Sequence, residues 1–190
     1  MSSVTTLILP GLFDSGPDHW QSHWERADDT CRRVVQADWA TPRCADWVTT
    51  LDQAIAAQEG PVVLVGHSSA CALVAHWARS APAAHLARVR GALLVAPSDP
   101  EGPRYPEGPT GFAPMPLTPL PFPSIVVAST DDEYVAPEQA RAYAAAWRRA
   151  FVDTGPAGHI NAARGFGAWP EGYALLRQLR VGSGAAGPAR

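Results

Sequence analysis

Val62-Val-Leu-Val-Gly66-His67-Ser68-Ser69-Ala70 decides how this chain is read. Four consecutive apolar residues, three of them β-branched, suit a strand buried on both faces, and they stop at a glycine. A small-residue stretch with helical character, Ser69–Arg79, follows at once. A serine on so sharp a strand-to-helix turn has its hydroxyl projected above the sheet, and the positions two before and two after it must be small. Gly66 and Ala70 meet that requirement around Ser68. Ser69 would have His67 and Cys71 there, and His67 is too bulky. The competing reading is a helix start with Ser68 or Ser69 as N-cap, but a plain cap needs no small residue two positions back. His67, buried beside the turn, reads as a packed core histidine.

Outward from this segment, short aliphatic runs alternate with helical patterns. Val4–Leu9, Arg33–Ala37, Gly91–Ala96, Ile125–Ala128 and the weak Phe151–Asp153 join Val62–Val65 as six candidate strands. Trp47–Ala57 puts Trp47, Leu51 and Ile55 on one helix face. Pro137–Ala150 opens with a proline suited to a first turn, and Trp169–Arg180 closes the pattern. This alternation predicts an α/β fold with a mostly parallel sheet and helices on both faces. Pro97 to Pro123 holds ten prolines, too many for a regular element; such a stretch is functional, disordered or a packed wall. The length of 190 residues predicts one domain over 1–181 and a flexible Gly/Ala/Ser/Pro tail over 182–190.

Composition limits the functions open to the chain. With 46% hydrophobic and 17% charged residues it is globular, and a net charge of −3 attracts neither nucleic acid nor anionic lipid. All 15 basic residues are arginine, and they are scattered. Cys31, Cys44 and Cys71 lack metal or disulfide spacing. The first ten residues read as a strand rather than a signal peptide, and no apolar run approaches the roughly 20 residues that span a bilayer. A cytoplasmic protein acting on a small acyl substrate is expected, with no metal or organic cofactor, and protein partners are left open.

A serine needs a base, and the base needs an acid to hold its tautomer. In this architecture they follow in the order Ser, Asp or Glu, His. The strand Ser124–Ala128 runs into Ser129-Thr-Asp131-Asp132-Glu133-Tyr134-Val135, at a strand C-terminus where open sheets carry their sites. Asp132 has the preferred offset, with Asp131 the alternative. His159, in Thr154-Gly-Pro-Ala-Gly158-His159-Ile-Asn161, is the expected base; His76 and His85 read as surface or packing residues, and His19 and His23 precede the serine. The backbone N–H groups of Ser69 and Leu12 are the candidate oxyanion donors. Phe13, His19 and Trp20, in the loop that continues from Leu12 through Trp24, are candidate pocket residues, although the aromatic residues of His19–Trp24 read equally as core.

The chain resembles the small serine hydrolases similar to bacterial YdeN and retinoblastoma-binding protein nine. The resemblance spans nearly its whole length: Pro10-Gly11 with His19-Trp20, Asp38-Trp39, Pro42 and Asp46-Trp47, Gly66-His67-Ser68-Ser69, Ala96-Pro97-Ser98-Asp99, Asp131-Asp132-Glu133-Tyr134-Val135, Gly158-His159-Ile160-Asn161, and Gly165-Phe166-Gly167-x-Trp169-Pro170-x-Gly172. It implies a compact α/β-hydrolase fold without a lid domain and a triad at Ser68, Asp132 and His159. Ala70 departs from the glycine that members often carry, and no L-x-C-x-E motif supports a retinoblastoma-type interaction. The expected activity is cleavage of small esters or amides through an acyl-enzyme. An aminopeptidase-like activity would need Asp14, Asp18 or Asp99 to bind a free amino group, and a binding protein on the same scaffold is the remaining alternative.

Overall fold

The computed structural model describes residues 4–182. The elements are β1 (Thr5–Leu9), α1 (Trp20–Ala27), β2 (Cys31–Arg33), α2 (Cys44–Ala56), β3 (Val62–His67), α3 (Ser69–Ser80), α4 (Ala83–Leu86), β4 (Val89–Val95), β5 (Ser124–Ala128), α5 (Pro137–Ala146), β6 (Ala150–Asp153) and α6 (Pro170–Val181). The six strands form one sheet in the order β2-β1-β3-β4-β5-β6, every neighbouring pair parallel. This is the parallel α/β sheet expected from the alternating pattern, and it agrees with the α/β-hydrolase fold that the resemblance implies. Beyond Gly182, the expected tail lies outside the described residues.

Strand alternation assigns each side chain to a face. Leu7, Leu9, Val62, Leu64, Ala92, Leu94, Val126 and Ala128 pack with Trp47, Leu51 and Ile55 of α2, the small face of α3, and Ala140, Tyr143 and Ala144 of α5. Ile8, Val63, Val65, Leu93, Val95 and Val127 face Trp20 and Trp24 of α1 and Leu176 and Leu179 of α6. The proline-rich stretch is a wall on the first of these faces, with Phe112, Met115, Leu120 and Phe122 buried in it.

Two expectations need correction. The second strand is Cys31–Arg33, not Arg33–Ala37. Val34 is buried, but its N–H already reaches Ile8 carbonyl at the end of the ladder, and Val35 points into solvent. The stretch from Trp20 onward is helix α1 rather than an extension of the preceding loop, and His19 caps it by accepting from Gln21 N–H at 3.2 Å. Trp20, Trp24 and Trp169 then form an aromatic cluster with centroid separations of 4.6 to 6.1 Å. Gly172 admits the Trp169 ring, because a β-carbon there would lie 2.2 Å from it. Truncating one such buried ring typically costs about 3–5 kcal/mol.

Candidate active site

The C-terminal ends of β1, β3, β4 and β5 converge on one cavity of about 300 Å³, lined among others by Phe13, His19, Ser68, Ser98, Tyr134 and His159. Ser68, between β3 and α3, has φ 58° and ψ −126°. A β-substituted residue in that region carries strain of about 1–3 kcal/mol, which the surroundings must over-determine. They do: Ser68 N–H donates to Val95 carbonyl at 2.9 Å, and its own carbonyl accepts from Cys71 N–H at 3.0 Å. Gly66 makes the close approach possible, since a β-carbon there would sit 3.3 Å from the backbone of Ala70. The tight contact falls on the main chain of Ala70, which is itself wholly buried in the first turn of α3.

The loop after β1 passes directly over the serine. A β-carbon on Gly11 would lie 2.7 Å from the Ser68 β-carbon. Phe13 and Asp14 then adopt left-handed conformations, φ 65° and 63°. Phe13 N–H donates to Trp39 carbonyl at 2.8 Å, and Arg33 binds the Asp14 carboxylate at 2.7 Å. Among the described residues no protein acceptor takes the N–H of Leu12 or of Ser69. The Ser69 donor also lies in the first turn of a twelve-residue helix, where N–H groups lack intrahelical partners and the dipole favours negative charge.

His159 Nδ1 lies 3.0 and 2.9 Å from the two oxygens of Asp132, whose side chain is fully buried. Tyr134 N–H donates to the same carboxylate at 2.9 Å, and the Tyr134 ring packs on the imidazole at 4.6 Å. Asp131 does something different. It accepts from Gly158 N–H at 2.6 Å and Ser129 hydroxyl at 2.7 Å and pairs with Arg164 at 2.7 Å, so it clasps the loop that carries His159. Gly158 N–H, followed by the Ser129 hydroxyl, holds the Asp131 carboxyl below the usual range, with Arg164 adding to the effect.

Two residues hold that loop from below. Trp20 Nε1–H donates to Ile160 carbonyl at 2.8 Å, and His67 Nε2–H to His159 carbonyl at 2.8 Å. Trp20 therefore does not line the pocket. It is wholly buried and acts on the site through the backbone beside His159. Phe13 and His19 do line it, Phe13 at the rim with 66% of its surface exposed. His67 is buried and also faces the cavity. His76 binds Phe112 carbonyl, and His85 binds Asp52.

Ser68 Oγ has Ser98 Oγ as its hydrogen-bond partner at 2.8 Å, and among the described residues no hydrogen bond joins it to His159. Ser98, Tyr134 and Pro106 belong to the cavity and were not singled out from the sequence as site residues. The available signal for Ser98 was its place just beyond the C-terminal end of β4, where such sheets put their functional loops.

Burial, with Arg33 and His159 adding to it, lowers the His19 imidazole to about 4. His67 is also held well below its ordinary value, by burial first and then by His159 and His19. The unfolded chain takes up protons on these groups near 6.5 while the folded chain does not, so stability is full above 6.5 and falls as pH drops toward 4. For His19 the loss amounts to roughly 3 kcal/mol. Urea unfolding at pH 7.5, 6.0 and 4.5 should show this decline, and it should be shallower in His19→Asn. The carboxylates of Asp28, Asp52 and Asp131 are held below 3.8 and act at lower pH. Stability that stays level between pH 6.5 and 4.5 would contradict the prediction.

The serine hydrolase family model matches residues 6–178. Among solved structures, a protein of Pectobacterium atrosepticum described as a YdeN-like hydrolase is 32% identical, with a TM-score of 0.79 over 95% of this chain and 91% of that one. The ydeN gene product of Bacillus subtilis is 19% identical, with a TM-score of 0.70 over 93% and 98%. An esterase of Thermogutta terrifontis shares the fold at 18% identity, with a TM-score of 0.64 over 97% and 92%. No curated protein matches the sequence. Among the described residues, no helix is long and apolar enough to cross a membrane.

Proposed function

The chain belongs to the serine hydrolase family, and from that premise we propose that it cleaves small esters or amides through an acyl-enzyme on Ser68. The observation that carries this reading is one cavity that holds a strained serine and His159, whose imidazole is paired with the buried Asp132. Ser68 Oγ attacks the substrate carbonyl and its proton passes to His159 Nε2, while Asp132 holds the proton on Nδ1. The N–H groups of Leu12 and Ser69 take the developing oxyanion. His159 then protonates the leaving group, and water, deprotonated by His159, releases the acid. The Ser68–His159 hydrogen bond forms when substrate binds, as catalytic hydrogen bonds tighten in the reacting complex.

A cavity of about 300 Å³ is at the small end for ligand sites, which supports a short acyl group. Among the described residues no arginine lines it, so it offers no cation to a carboxylate-bearing substrate. One observation bears on an aminoacyl substrate as the second reading: Asp14, paired with Arg33 through one carboxylate oxygen, is among the lining residues, whereas Asp18 and Asp99 are not. The Asp99 carboxylate is engaged by Tyr143 hydroxyl and Glu101 N–H. The buried, free thiols of Cys31, Cys44 and Cys71 support a cytoplasmic setting.

The test is a fluorophosphonate probe followed by peptide mapping, together with a panel of p-nitrophenyl acyl esters and aminoacyl amides. Labelling at Ser68 and fastest turnover of short acyl esters are expected. Preference for aminoacyl amides selects the second reading, and a well-folded protein with neither labelling nor turnover is a binding protein on this scaffold.

A further inference from the structure

The hydroxyl of Ser98 is 2.8 Å from the Ser68 hydroxyl and, among the described residues, makes no other hydrogen bond. Ser98 is only 3% exposed, so little solvent competes for it. Its backbone is clamped on both sides. Ala96, at φ 48°, donates its N–H to Val127 carbonyl at 2.8 Å, and Asp99 N–H reaches Tyr134 carbonyl at 3.0 Å. The Asp99 carboxylate accepts from Tyr143 hydroxyl at 2.9 Å. A left-handed alanine followed by proline is costly local geometry, and here it aims one hydroxyl at one atom.

Proton counting gives that hydroxyl its direction. A serine hydroxyl has one proton to donate and two lone pairs. The Ser68 proton must go to His159 Nε2, which leaves Ser68 Oγ as the acceptor of the Ser98 O–H. Resting on the acyl-enzyme reading above, we propose that Ser98 is a catalytic residue whose hydroxyl donates to Ser68 Oγ through the reaction. At rest it steadies the nucleophile. In acylation the Oγ–H bond breaks toward His159 as the Oγ–carbon bond forms, and Ser98 keeps its own proton. In deacylation the carbon–Oγ bond breaks with its electron pair going to Oγ, which takes the proton back from His159. Ser98 O–H is then aimed at the atom on which charge develops.

The effect should be greatest where Oγ leaves. With p-nitrophenyl acetate in stopped flow, Ser98→Ala should release acetate on the order of tenfold more slowly, the size expected for one hydrogen bond to a charged atom. Fluorophosphonate labelling of Ser68, in which Oγ attacks and fluoride leaves, should slow by a smaller factor, and the substrate dissociation constant from the burst phase should not change. Ser98→Thr, which keeps the hydroxyl, should stay within about threefold of wild type. Release by the alanine variant within twofold of wild type overturns the role of Ser98 alone. So does a threonine variant that binds substrate normally yet is as slow as alanine. A wild type that neither labels nor turns over overturns the nucleophile reading, and the role of Ser98 falls with it.

Discussion

Replacing Ser68 with alanine is expected to lower kcat by on the order of 10⁴–10⁶-fold and to abolish fluorophosphonate labelling, with the fold intact. The size follows from the role: without Oγ no acyl-enzyme forms, and the oxyanion donors and pocket act only on direct attack by water. Alanine is smaller than serine, so the elbow keeps its geometry, and the residue 68 N–H still reaches Val95 carbonyl. Unchanged urea unfolding of the variant separates lost chemistry from lost structure. Two neighbouring hydroxyls make the mapping decisive. Ser69 is buried and accepts from Tyr105 hydroxyl at 3.0 Å, and Ser98 faces Ser68. Label recovered on either one, or ester turnover surviving in Ser68→Ala, would remove Ser68 as the nucleophile.

The second large effect is a contrast between adjacent carboxylates. Asp132→Asn should lower kcat about 10⁴-fold, and Asp131→Asn should leave most of it. Tyr134 N–H donates to one oxygen of Asp132, so in the asparagine variant the amide oxygen stays there and the NH₂ group turns toward His159 Nδ1. That nitrogen must then accept, its proton moves to Nε2, and the base no longer has a lone pair for the serine. In Asp131→Asn the amide oxygen can still take Gly158 N–H and Ser129 hydroxyl. What it loses is a half-exposed ion pair with Arg164, and solvent screening leaves such pairs contributing little. The measurement is kcat for a short acyl ester in both variants. Equal losses, or the larger loss at Asp131, would reverse the assignment.

The fold was legible because buried parallel strands leave a strong trace. Val62–Val65 and Gly91–Ala96 carry apolar or small residues toward both faces, and each run is followed by a residue, Gly66 or Pro97, that reads as its end. Boundaries shifted where a ladder outlasts the apolar run. His67 and Val89 belong to strands because neighbouring backbone pairs with them, whatever their side chains. Helix α1 was missed because its apolar residues are mainly two tryptophans, and in a short stretch they fit a pocket as well as a core. Only Trp169 and α6, at the far end of the chain, decide between the two.

Within the site, residue types and their order along the chain were readable, and so was the need for a small residue at Gly66. From β-strand alternation and the strand-to-helix elbow, the local chemistry of the sequence determined an α/β fold with a serine above its sheet. Which of two adjacent aspartates meets His159, and which serine shares a proton with Ser68, depended on where the ends of β4, β5 and the His159 loop come to lie. Hydrogen bonds act over about 3 Å, and the partners here are 27 to 30 residues apart. Contact of that kind is written only in the tertiary structure, because it depends on how every intervening element packs.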